Sequence, residues 1–186
     1  MGKPDAMIPP ATIHTPRLIL CRSTLGRLSA LITGPQEYQR VCGQAVEEGY
    51  VSSPGILEFS HHHAQAATAD RPWWLLYLIV EREDDRLIGL CGYAGPPDDE
   101  GFVEICYGVA PALSGRGLAT EAALALATHA FKRPAVTGIR AHTHPGHGAS
   151  TRILTKCGFT RTGDFDDPDE GRVWRWELLK SVPSLK

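Results

Sequence analysis

The stretch Glu104–Phe131, EICYGVAPALSGRGLATEAALALATHAF, constrains this chain more than any other, because it joins a strand to a helix through a glycine turn. Val103, Ile105, Tyr107 and Val109 alternate with Phe102, Glu104, Cys106 and Gly108, the period-two spacing of a strand. Ala110-Pro111 ends it, since proline has no N–H to give to a ladder. From Leu118 onward the strong helix formers alanine, leucine and glutamate dominate. Pro134 stops that helix behind Lys132 and Arg133, cations that suit the negative end of its dipole. Between strand and helix lies Ser114-Gly115-Arg116-Gly117-Leu118-Ala119. Small residues let a ligand approach the backbone there, and the first-turn N–H groups of a helix have no intrahelical partners. With the positive end of the dipole behind them they favour a phosphate, to which Arg116 would add a charge-assisted contact. Taken alone, two glycines favour an ordinary loop before a core helix.

A second constellation is HPGHGASTRILTKCGF, residues 144–159, a loop followed by a short helix over Ser150–Cys157. Gly158 sits where a helix end needs positive φ, and Phe159 packs back onto the helix. Ser150 is expected as the N-cap, its hydroxyl meeting an orphan helix N–H. His142, His144 and His147 imitate a metal site, but their spacing spans a strand end and a loop and no fourth ligand accompanies them. They read as histidines of a polar loop. His61-His62-His63 reads as a solvated run, because adjacent helical side chains diverge.

The rest of the chain sets these two stretches in one unit. Strands are expected at Thr15–Ser23, Trp73–Arg82, Arg86–Ala94, Val136–Thr143, Phe159–Asp164 and Arg172–Leu179, the last two joined by the acidic turn at residues 166–171. Helical pieces are expected around residues 25–32, 36–42 and 57–69. The fold class is α/β, with a mixed, mostly antiparallel sheet of about six to seven strands and helices on both faces. Residues 13–180 form one domain, with 1–12 and 181–186 as flexible termini. A net charge of −2 gives no electrostatic footprint for nucleic acid. The longest apolar run, Trp73–Val80, is too short to span a bilayer, and MGKPDAMIPP lacks the apolar core of a signal peptide. Five cysteines (Cys21, Cys42, Cys91, Cys106, Cys157) are scattered and odd in number, as expected of reduced, buried thiols in a cytoplasmic protein, and a monomer or homodimer is expected.

The glycine turn resembles the acetyl-CoA motif of the GNAT N-acetyltransferase superfamily, Gln/Arg-x-x-Gly-x-Gly/Ala, here Ser114-x-x-Gly117-x-Ala119. A Walker loop would need Gly-Lys-Ser/Thr and a dinucleotide fingerprint a third glycine. The continuation Ala119-Thr120-Glu121-Ala122 and the opening Thr15-Pro16-Arg17-Leu18 resemble the branch that acetylates ribosomal-protein N-termini. The second constellation is similar to that family's His-Pro-x-Asn-x-x-Ser-x-x-x-Leu-x-Lys-x-Gly-Phe, with His147 in place of asparagine. The resemblance implies an acetyl-CoA-dependent N-acetyltransferase without a metal. Gly115, Arg116, Gly117, Leu118, Ala119 and Thr120 would hold the pyrophosphate beside Ser114, and His147 would stand by the pantetheine arm. Backbone N–H groups around Val109 and Ala110 would polarise the thioester carbonyl. Ser150 would protonate the leaving thiolate. Glu104 is either a solvated glutamate on an open sheet face or a general base, since a carboxylate partly shielded from water takes a proton more readily. The acceptor is a protein N-terminus or a small-molecule amine. Ser114 and His147, where the family has other residues, leave open a second reading, a non-catalytic acyl-CoA-binding module.

Overall fold

Eight strands make one sheet in the order β1-β2-β3-β4-β5-β6-β8-β7. The computed structural model describes residues 12–49, 57, 61, 73–146, 148–168 and 171–181. The strands are β1 (Thr12–His14), β2 (Leu18–Arg22), β3 (Leu76–Glu81), β4 (Arg86–Tyr93), β5 (Phe102–Val109), β6 (Gly138–Thr143), β7 (Thr160–Asp167) and β8 (Gly171–Leu179). Named helices are α1 (Leu25–Thr33), α2 (Pro35–Cys42), α3 (Leu118–Phe131) and α4 (Ala149–Lys156). Every neighbouring pair is antiparallel except β5 and β6. A parallel pair needs a crossover, and α3 supplies it.

The count exceeds the expected six to seven because a short strand, β1, precedes the stretch at Thr15–Ser23, whose own strand begins only at Leu18. Pro16 takes the second place of a tight turn, where its fixed φ is favourable. Thr15 N–H donates to Leu18 O at 3.0 Å, and Leu18 N–H donates to Thr15 Oγ at 2.9 Å. The chain therefore folds back as the β1–β2 hairpin, and Thr12, expected in the leader, begins β1. Of the helix expected over residues 57–69, Leu57 and His61 are described and both are helical. His62, His63 and the remainder lie outside the described residues. His61 Nε2 lies 3.0 Å from Ser29 Oγ.

Helices cover both faces. On one, Leu118, Ala122, Leu126 and Ala130 of α3 bury against Val103, Ile105 and Ile139. Their spacing of four residues lays one stripe on the sheet. Leu126 is fully buried, so truncation to alanine would cost about 2–5 kcal/mol. On the other face, Leu28 and Leu31 of α1 and Tyr38 of α2 pack on Leu76, Leu78, Val80 and Leu87. Being covered twice, β3 is buried at every position, which explains its unbroken apolar run. α4 ends as expected. Gly158 at φ 85° donates to Thr155 O and Phe159 N–H to Leu154 O, with Phe159 folded onto the core. All five cysteines are free thiols. Among the described residues no helix is long and apolar enough to cross a membrane.

Candidate active site

The ladder between β5 and β6 lasts three pairs, Phe102↔Gly138, Val103↔Ile139 and Glu104↔Arg140, and then stops. β5 continues to Val109 and β6 to Thr143, so an unpaired gap opens between them. On its other side β5 stays paired with β4 as far as Gly89↔Val109. Antiparallel partners alternate in which residues face the neighbouring strand. Ala94 N–H donates to Glu104 O and Ala110 N–H to Ile88 O, so the even-numbered residues face β4. The backbone groups of Ile105, Tyr107 and Val109 therefore point into the gap.

The glycine turn closes one end of this opening. Gly115 has φ 81° and Gly117 has φ 77°, left-handed conformations that carry a strain cost for residues with a Cβ. Gly117 is the N-cap of α3, makes no side-chain cap, and its carbonyl accepts the first helical bond from Glu121 N–H at 3.0 Å. The N–H groups of Leu118, Ala119 and Thr120 thus precede the helical ladder and form a donor cluster at the positive end of the dipole. They border a cleft of about 290 Å³ between the end of β5, the glycine turn and α4. Val109, Ser114, Gly115 and Gly117 also line it, as does Ser150 from the opposite wall. α4 presents Ser150, Ile153 and Lys156 along one stripe, with Arg152 beside it. Arg152 and Lys156 are exposed cations facing a phosphate-sized donor cluster.

Three expected site residues are placed differently. Arg116 does not line the cleft. Its guanidinium reaches 2.8 Å to the buried carboxylate of Glu81, because β3 ends directly beneath the turn. Ala110 N–H is already spent on Ile88 O at 2.8 Å, so it is not available to a thioester carbonyl, whereas Val109 faces the gap. Ser150 is not the helix cap. α4 starts one residue earlier, with Gly148 as an extended N-cap whose carbonyl accepts from Arg152 N–H, and Thr151 Oγ donates back to Gly146 O at 2.8 Å. His147 lies outside the described residues.

The turn is held from behind. Glu121, in the first turn of α3, accepts from Thr15 Oγ at 2.6 Å, from Arg17 N–H at 2.8 Å and from Arg17 Nε at 2.7 Å. Arg17 Nη1 in turn donates to Arg116 O at 2.8 Å. Burial works against the Glu121 charge, but the donors from Thr15 and Arg17 outweigh it and hold the carboxyl below its ordinary range. Tyr107 also lines the cleft, its hydroxyl 3.5 Å from Ser150 O, and burial pushes that hydroxyl up so that it remains a neutral donor.

Glu104 stands at the closed end of the gap, on the last β5–β6 pair, with its side chain 43% exposed. Its Oε1 lies 2.7 Å from Nδ1 of His142. His142 is therefore on β6 and against Glu104, not in a polar loop. Sequence reasoning also missed the Arg152, Ile153 and Lys156 wall. The helical spacing of those residues from Ser150 carried that signal, whereas nothing local linked His142 to Glu104. Among the described residues no three His, Cys, Asp or Glu side chains gather as a ligand set.

With this geometry in view, the likenesses to known proteins are consistent. The family model described as acetyltransferase (GNAT) domain matches residues 35–160. An uncharacterized N-acetyltransferase of Bacillus licheniformis is 28% identical over 109 residues, 56% of this chain and 61% of that protein. The uncharacterized N-acetyltransferase YjdG of Bacillus subtilis is 30% identical over 83 residues, 45% of this chain and 49% of that protein. The chain thus spans about half to three fifths of the lengths of these curated relatives. Among solved structures, RimL, a ribosomal alpha-N-protein acetyltransferase in complex with coenzyme A, has a TM-score of 0.67 at 17% identity, covering 91% of this chain and 98% of that one. A GNAT-family acetyltransferase from Bordetella pertussis has a TM-score of 0.65 at 22% identity, covering 90% and 98%. At these identities the structures share the fold.

Proposed function

The chain belongs to the GNAT acetyltransferase family, and from that premise we propose that it moves an acetyl group from acetyl-CoA directly to a primary amine. The observation that carries this reading is the cleft itself, where the α3 N-terminus and its glycine turn face the α4 wall. In this reading the unpaired N–H groups of Leu118, Ala119 and Thr120 hold the pyrophosphate. Lys156 and Arg152 add positive charge from α4. The pantetheine arm then runs along β5 towards the gap, and Val109 N–H polarises the thioester carbonyl. Holding the thioester there lowers the entropic barrier to attack.

The acceptor enters as an ammonium from the face on which Glu104 is exposed. Glu104 takes one proton, which frees the nitrogen lone pair. The N–C bond forms to the acetyl carbon, and the C–S bond breaks. Of the two protons the nitrogen loses, one ends on the coenzyme A sulfur and the other leaves to solvent. Ser150 and Tyr107 bring hydroxyl groups to the cleft, and Ser150 is assigned as proton donor to the thiolate. The acceptor in this reading is a protein N-terminus or a small-molecule amine.

The test is Glu104→Gln, which keeps the shape and removes the base. It is expected to lower kcat by about 100-fold or more at neutral pH. The deficit shrinks as pH rises, because more of the acceptor amine is then already neutral. A small deficit constant with pH would assign proton removal to another group.

A further inference from the structure

At the end of the β5–β6 ladder a side-chain hydrogen bond ties the two strands, between Glu104 Oε1 and His142 Nδ1 at 2.7 Å. The imidazole is 19% exposed, and its ring stands edge-on to Phe165 of β7 with centroids 4.9 Å apart. Its other nitrogen, Nε2, is fully buried and meets no hydrogen-bond partner among the described residues. That orphan nitrogen decides the tautomer. The Nε2–H tautomer would bury an unpaired N–H and set the Nδ1 lone pair against the carboxylate. A ring with its proton on Nδ1 rather than Nε2 avoids both.

Other charged and titratable groups stand on this face. Arg140 of β6 is taken by Asp98, Glu100 and Glu177 of the surrounding loop and β8. Arg175 of β8, paired with His142 across the β6–β8 ladder, lies over the Phe165 ring at 5.2 Å, and its buried Nε meets no hydrogen-bond partner among the described residues. Burial, with a smaller contribution from Glu104, pushes the Cys106 thiol up to about 11 and keeps it neutral. Among the described residues, His142 is the donor recorded at the Glu104 side chain.

We infer that His142 is a positioning residue for the Glu104 carboxylate, its Nδ1–H fixing Oε1 so that Oε2 is left for the acceptor ammonium. This rests on the acetyl-transfer reading above. A free glutamate side chain must lose the freedom of three torsions to meet an amine, and the bond to His142 removes much of that freedom beforehand. The arrangement survives the proton transfer. When Oε2 takes the ammonium proton, Oε1 becomes the carbonyl oxygen of a neutral acid and still accepts from Nδ1–H. Glu104 then returns its proton to solvent, and His142 keeps its own throughout.

Two variants separate positioning from mere packing. Asparagine carries an N–H donor at the place of Nδ1, and leucine carries none. His142→Leu is expected to lower kcat by about 10- to 100-fold, whereas acetyl-CoA affinity changes by less than about 2-fold. His142→Asn is expected to keep kcat within about 5-fold of the unaltered protein. Nitrogen-15 spectra of the unaltered protein are expected to show the His142 proton on Nδ1 and none on Nε2. Full activity in His142→Leu, an equal loss in both variants, or a proton on Nε2 would overturn the inference. Should His142→Leu fail to fold, the asparagine variant and the tautomer decide. If the unaltered protein acetylates no amine, the functional reading fails, and the tautomer still reports whether the His142–Glu104 bond is as described.

Discussion

Glu121→Ala cuts the support behind the glycine turn. The carboxylate is 15% exposed and accepts three hydrogen bonds, and its partner Arg17 is 47% exposed. Bonds to a charged acceptor contribute about 1.5–3 kcal/mol each. They share one acceptor, so they do not add, and water replaces part of what the half-exposed Arg17 loses. The net loss is then about 2 kcal/mol, or about 4–8 °C in Tm for a chain of this size. The pH dependence has a definite sign. Thr15 and Arg17 hold the Glu121 carboxyl below its ordinary range against the opposing effect of burial. A carboxylate depressed in the folded state stabilises fully above its unfolded value near about 4.3, and that stability is lost as pH falls through the folded value. Calorimetric melting of both proteins between neutral pH and about pH 3 is expected to show the gap in Tm closing as the solution is acidified. Because Arg17 also holds Arg116 O, acetyl-CoA affinity at neutral pH is expected to fall by about 10-fold. A gap that stays constant with pH would assign the effect to lost packing, and no gap at neutral pH would refute the reasoning.

Gly117→Glu sets a carboxylate and a left-handed Cβ at the phosphate site, and isothermal calorimetry is expected to find no acetyl-CoA binding to the folded variant. Unchanged affinity would move the site elsewhere. Ser150→Ala removes no cap, since Gly148 holds that place, so Tm is expected to shift by no more than the equivalent of about 0.5 kcal/mol. If Ser150 protonates the thiolate, kcat falls by about 10- to 1,000-fold in the same sample. His129 is depressed to about 4, by burial first and then by Arg133 and Lys132. The unfolded chain therefore binds a proton that the folded one refuses between about pH 6.5 and 4, and stability drops by roughly 3 kcal/mol as pH falls through that window. His129→Phe is expected to flatten the fall in Tm over that range, and an unchanged slope would count against the assignment.

The strand, glycine turn and long helix were legible because each is a local matter. Alternation, a run of helix formers and glycines at positive φ act over a few residues, and the structure places β5 and α3 where those features put them. What depended on distant partners was not legible. Arg116 stands in a turn that suits phosphate, yet Glu81 arrives under it from a strand 35 residues away. Ala110 has a backbone N–H of the expected kind, but the β4 register consumes it. His142 meets Glu104 only because β5 and β6 pair in parallel for three residues and then part, a register that no stretch of sequence records. The misplaced cap is a smaller case. Serine is the commoner N-cap, but a glycine two residues earlier adopts the extended conformation equally well, and the helix begins there.

The measurement that bears most directly on the account is incubation of the unaltered protein with acetyl-CoA and a panel of amines, including peptides with free N-termini, polyamines, amino acids and aminoglycosides. Thiol release and product mass are followed together. The account predicts one thiol released per acetyl group gained, with the acetyl group on the amine nitrogen and none retained on the protein. Tight acetyl-CoA binding without thiol release above the uncatalysed rate on any amine would contradict it, and would leave the chain an acyl-CoA-binding module.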